Sequence, residues 1–181
     1  MRNRLSKSGL QLEFEDIAKS LNLRLAALNL YYSPANPRYL ALFATYTPDD
    51  LDSEKQYELS ELENDACLSL LAAIEAAFRL DYAIRNELRL KRKDKLNLLL
   101  RNLYGLYKFR ISLEDGILQA WFDTMPQFQS LISALRGAFK YRHWLAHGRY
   151  WTLKVGRDYD FDNLYALAIQ VQTMGLLRQD S

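Results

Sequence analysis

The sequence predicts an all-α domain, and three observations carry that expectation. Apolar residues recur at three- and four-residue spacing along nearly the whole chain, the pattern of helices that bury one face. The 7 glycines and 4 prolines among 181 residues are too few for a turn-rich β design. Helix-cap and breaker combinations stand between successive periodic stretches. A chain of this length forms one domain, residues 1–181, and buries roughly two-thirds of its unfolded surface. The expected architecture is an up-and-down bundle of about five to six helices.

Each element has a local reason. Leu10 to Leu30 reads as a first helix, with Phe14, Ile17, Leu21, Leu25 and Leu28 along one side. Ser33-Pro34-Ala35-Asn36-Pro37 is turn-like, and Thr47-Pro48-Asp49-Asp50 closes a loop or short strand. Ser53 with Gln56 has the form of a capping box and opens a long helix to about Leu90. Its middle, Leu68 to Leu80, is apolar on most sides and is therefore expected at the centre of the bundle. Asp94 to Phe109 forms another helix, and Ser112-Leu113-Glu114-Asp115 caps the next, which runs to about Asp123. Thr124-Met125-Pro126-Gln127 places a cap before a proline in the first turn. That helix continues through Phe128, Leu131, Leu135 and Phe139 to His147, where Gly148 supplies a stop. Residues 149–160 read as non-helical, with one short hairpin turning at Gly156, and Asp160 caps a last helix to about Leu177.

Composition narrows the class. Apolar residues make up 49% and charged residues 25%, ordinary values for a soluble globular protein. A single cysteine, Cys67, cannot form an internal disulfide and suits a reducing compartment. The basic start Met1-Arg2-Asn3-Arg4 leads into no signal-peptide apolar run, and Ala66 to Leu80 is short for a membrane span and carries Glu75 and Arg79. A cytoplasmic protein without membrane partners is expected. The net charge of +2 is unevenly spread. Residues 44–66 hold eight acids against one base, residues 85–110 nine bases against two acids, and residues 136–157 six bases and no acid. Basic blocks attract polyanions, although a charge run is also what a solvated face looks like.

Both histidines lie in the last of these blocks, within Lys140-Tyr141-Arg142-His143-Trp144-Leu145-Ala146-His147-Gly148-Arg149. Histidine exchanges protons near neutral pH, and arginine offers a rigid fork to phosphate oxygens. His143 and His147 are four apart and share a helix face. Arg142 and His147 are five apart, about 140° around a straight helix, so they converge on one phosphate only with help. That help comes from a tightened last turn, from the reach of the arginine, or from a second copy across a two-fold axis. Carbonyls at the helix end favour a protonated His147. Three readings follow. A histidine pair can hold zinc, but no third histidine remains and Trp144 follows His143, so the HExxH arrangement is absent and no metal or other cofactor is expected. The histidines can simply cap and pack the helix end. Or they perform acid–base chemistry on a phosphodiester, with arginine stabilising the developing charge.

Arg142-His143-Trp144-Leu145-Ala146-His147 resembles the R-x4–6-H motif of the HEPN superfamily, in which a polar residue follows the arginine and the distal histidine ends a late helix. The resemblance implies a HEPN-like bundle and a metal-independent RNA endonuclease that works as a homodimer, two motifs sharing one cleft. Carried over, Arg142 binds or polarises the scissile phosphate, His147 is general base or acid for attack by the ribose 2′-hydroxyl, and His143 orients the site. Many relatives are toxins of toxin–antitoxin pairs or parts of anti-phage systems, which makes an antitoxin or a nucleotidyltransferase a candidate partner. In one branch the nucleotidyltransferase modifies a tyrosine two residues after the distal histidine; here Arg149 stands there and Tyr150 follows, a departure from that pattern. The alternative is a catalytically inactive HEPN-like module that binds nucleotide, nucleic acid or a partner protein.

Supporting residues can be named as well. Lys140, Arg149, Tyr150, Trp151, Lys154 and Arg157 interleave bases with aromatics, a composition that stacks unpaired bases and contacts phosphate, and that a small packed hairpin would equally need. Glu75 sits inside the most apolar helix stretch, where an unpaired carboxylate is costly. It therefore pairs with Arg79 four residues on, or with a bundle partner, or it belongs to the cleft and holds Arg142.

Overall fold

The computed structural model describes residues 13–87, 94–149, 152 and 159–174, and among these every regular element is helical. The order is α1 (Phe14–Tyr31), α2 (Tyr39–Phe43), α3 (Pro48–Glu87), α4 (Lys95–Tyr107), α5 (Gln119–Thr124), α6 (Gln129–Ala146) and α7 (Phe161–Thr173). Short 3-10 turns at Lys108–Arg110 and Pro126–Phe128 and a π-helical turn at Leu113–Leu118 connect α4, α5 and α6. The expected bundle is what the five long helices build.

α3 is the central element because its middle stretch is apolar on most sides, interrupted by Ser69, Glu75 and Arg79. Cys67, Leu70, Leu71, Ile74 and Phe78 are fully buried on it, and α1, α4, α6 and α7 all pack against it. Burying side chains of this size stabilises by about 1.5–3 kcal/mol each relative to exposure. From α5, the fully buried Trp121 meets Phe78 edge-on with ring centres 5.9 Å apart. From α6, Ile132, Leu135 and Ala138 close the same core.

The local signals held where side chains satisfy helix ends. Asp94 accepts from the backbone N–H groups of Leu96 and Asn97, Ser112 from that of Asp115, and Asp160 from that of Asn163. Gly148 ends α6 region with φ 85°, a left-handed conformation that a Cβ disfavours. Three expectations need correction. α3 begins at Pro48 rather than Ser53: the Thr47 hydroxyl accepts from the Asp50 N–H at 3.2 Å, proline occupies the first helical position, and Asp49 and Asp50 face the positive helix end. Ser53 and Gln56 lie inside the helix. Thr124 closes α5 instead of opening α6, its hydroxyl donating to the Ala120 carbonyl at 2.6 Å. The stretch between Pro37 and Thr47 is neither loop nor strand throughout, since α2 folds there around Phe43, which stacks on Tyr32 at 5.3 Å. A boundary also moves at the start of α1, which begins at Phe14 rather than Leu10 because Glu13 is already extended backbone; most of the hairpin expected near 149–160, and the outer ends of the third and last helices toward Leu90 and Leu177, lie outside the described residues.

One buried ionic network was not anticipated. Arg85, only 4% exposed, donates to the fully buried Asp81 at 2.8 Å and to Asn97 at 2.6 Å, joining α3 to α4 beside Trp121. Removing one partner of such a pair costs about 3–5 kcal/mol, because the other charge is left in the interior.

Candidate functional site

The motif occupies the C-terminal end of α6. The end of α6 and its exit pack against α3 through three side-chain pairs: Arg142 with Glu75, Tyr141 with Asn64, and Arg149 with Glu61. The register is held by Tyr141, which is buried, stacks between Trp144 and Tyr159, and donates its hydroxyl to Asn64 Oδ1 at 3.1 Å. Burial pushes its phenol pKa up to about 12, so it stays a neutral donor. The positions on either side are thereby aimed: Lys140 and His143 outward, Arg142 toward α3.

Glu75 does both of the things open to it. One carboxylate oxygen accepts from Arg79 Nε at 2.6 Å and the other faces an Arg142 guanidinium nitrogen at 3.2 Å. Arg79 also donates to the Ile111 carbonyl at 3.3 Å. The Glu75 side chain is 18% exposed and that of Arg142 38%, so this arm opens to solvent at its outer end. Arg142 Nε is buried without a hydrogen-bond partner, which leaves the guanidinium unsaturated.

His143 and His147 are exposed and lie side by side, their ring centres 4.1 Å apart and their planes inclined by 48°. The His147 N–H still donates to the His143 carbonyl at 3.1 Å, so the helical spacing persists to the cap. Among the described residues, no hydrogen bond or ion pair joins Arg142 to either histidine within one chain. The 140° divergence expected from helix geometry is thus retained: the arginine faces α3, and the histidines face solvent.

Past Gly148, Arg149 adopts a left-handed φ of 54° and its guanidinium grips Glu61 of α3 with two nitrogens, one at 2.6 Å from Oε2. The Arg149 guanidinium holds the Glu61 carboxyl below the usual range. Lys140 is exposed. Tyr150, Trp151, Lys154 and Arg157 lie outside the described residues. Among the described residues, no group of three or more His, Cys, Asp or Glu side chains is placed to hold a metal ion, and no helix is long and apolar enough to cross a membrane.

Glu61 and Asn64, the α3 partners of Arg149 and Tyr141, were not singled out from the sequence. A signal for Glu61 existed. Glu61 and Glu75 are fourteen residues apart, four helical turns that return to within about 40° of the same face, and both acids sit where α3 is meeting basic α6. No family model, curated protein or solved structure matches the chain.

Proposed function

We propose that this chain is a metal-independent RNA endonuclease of the HEPN type, acting as a homodimer in the cytoplasm. The observation that supports this best is the Glu75–Arg142 pair beside an exposed histidine pair at one helix end. A phosphate-binding cation is pre-oriented by a glutamate of the core helix, and two imidazoles stand in solvent one turn apart. Arg142 stabilises the negative charge that develops on the phosphorus oxygens. His147 moves the proton of the attacking 2′-hydroxyl or of the leaving oxygen, and His143, in ring contact, orients it. Since one chain turns these groups apart, a second copy across a two-fold axis completes each site. Lys140 extends the basic face toward the RNA backbone. A toxin role, with an antitoxin or nucleotidyltransferase as partner, belongs to this same reading.

The test is cleavage of RNA by purified protein in excess EDTA. The expected products end in 2′,3′-cyclic phosphates, and Arg142→Ala and His147→Ala each lose at least about a hundredfold in rate. Activity that EDTA abolishes and Mg²⁺ restores overturns the proposal. A second reading, a catalytically silent binding module, draws on the pairing of both arginines with glutamates of their own chain; folded protein that binds RNA without cutting it is the result that favours it.

A further inference from the structure

We infer that His143 and His147 form a two-ligand chelating site for a transition-metal dication of the Zn²⁺ or Cu²⁺ class, and that its occupation blocks the motif. The chain contains two histidines and one cysteine. Cys67 is fully buried, so the histidine pair supplies every exposed imidazole or thiol donor of the protein. Two nitrogens on one tetrahedral Zn²⁺, each at about 2.0–2.1 Å, stand about 3.3–3.4 Å apart. Imidazoles that share one such ion hold their ring centres about 5 Å apart, and these exposed rings, with centres 4.1 Å apart and one helical turn from each other, reach that arrangement by swinging about 1 Å further apart.

The electrostatics of the place agree with the geometry. The pair lies over the last turn of α6, where unsatisfied carbonyls favour positive charge. The two nearest cations in sequence, Arg142 and Arg149, are each neutralised by a glutamate of α3, Glu75 and Glu61. Repulsion of an arriving dication is lowered accordingly. Two protein ligands leave two coordination positions open to solvent or to a phosphate oxygen, which makes the site exchangeable rather than structural. This is no catalytic metal: a bound ion takes up the ring nitrogens that proton transfer requires. The inhibitory consequence rests on the endonuclease reading; the binding does not.

The experiment titrates the full chain with Zn²⁺ and, separately, Cu²⁺ by calorimetry, with no RNA present. One ion per chain is expected, with Cu²⁺ tighter than Zn²⁺ and no response to Mg²⁺. His143→Ala and His147→Ala should each weaken Zn²⁺ binding at least about tenfold, the least that even a lost supporting group costs at metal sites. Both positions are exposed, so unchanged far-ultraviolet dichroism is expected and checks the fold. Absence of binding, or equal binding by the double variant, overturns the site. RNA cleavage in EDTA is then repeated with Zn²⁺ in excess over the chelator. Loss of cleavage supports the block, and unchanged cleavage at saturating Zn²⁺ overturns it. Histidine-dependent binding by a protein that cuts no RNA under any condition overturns the endonuclease reading and leaves the metal site standing.

Discussion

Glu75 is where stability and the proposed chemistry meet, and a double-mutant cycle with Arg142 measures their connection. Its side chain is 18% exposed and carries two arginine contacts, at 2.6 Å to Arg79 and 3.2 Å to Arg142. Both arginines keep more than a third of their side-chain surface in water, 41% and 38%, so solvent screens each pair. A surface ion pair contributes at most about 1 kcal/mol, and a hydrogen bond to an interior charge about 1.5–3 kcal/mol. The Glu75–Arg142 coupling should fall between, at about 1–1.5 kcal/mol. Glu75→Ala, which frees both arginines, should cost about 2 kcal/mol and lower Tm by about 4–8 °C for a chain of this size. The cycle Glu75→Ala, Arg142→Ala and the double variant is read by urea unfolding, with Arg79→Ala as a control that removes the other contact alone. RNA cleavage is read in parallel: Glu75→Ala should slow it while Arg79→Ala retains most of it. Additivity of the two single substitutions within about 0.3–0.5 kcal/mol would show that the pair carries no energy and refute the orienting role.

Four other outcomes are expected. Tyr141→Phe leaves Asn64 Oδ1 without its donor and should cost about 1 kcal/mol in unfolding measurements, with cleavage unchanged. Arg149 holds the Glu61 carboxyl below its ordinary value of 4.5, so this contribution is present above that pH and is lost as pH falls through the lowered value; Glu61→Gln should flatten the acid limb of a stability–pH curve, and an unaltered limb refutes it. Light scattering should give about twice the chain mass of 21.2 kDa. Mixing inactive Arg142→Ala and His147→Ala proteins should restore some cleavage, whereas a cleaving monomer removes the composite site.

Much of the architecture was legible because helices report themselves locally. The spacing of Leu70, Leu71, Ile74 and Phe78 marks a buried face, and Asp94, Ser112 and Asp160 are caps whose partners lie two or three residues away. Errors came where two local signals compete. Thr47-Pro48 and Ser53-Gln56 both have the form of a helix start, and the earlier one wins because α3 continues unbroken through the later. α2 is not legible in the sequence because five residues are too few to show a period, and it is secured by ring packing around Phe43 rather than by its own pattern.

The sequence alone determined the helical class, the central place of α3, the location of the motif, and the angular divergence of Arg142 from His147, all consequences of periodicity along one chain. Only the tertiary structure decided which acid meets which base. Whether Glu75 holds Arg79, Arg142 or both depends on the offset between α3 and α6, and that offset is set by the packing of Tyr141, Trp144 and Tyr159 with Asn64 below them. The same offset carries Arg149 to Glu61, eighty-eight residues away in the chain. Spacing within a helix is a property of the backbone, but register between helices is a property of side chains interlocking in three dimensions, and no local pattern encodes it.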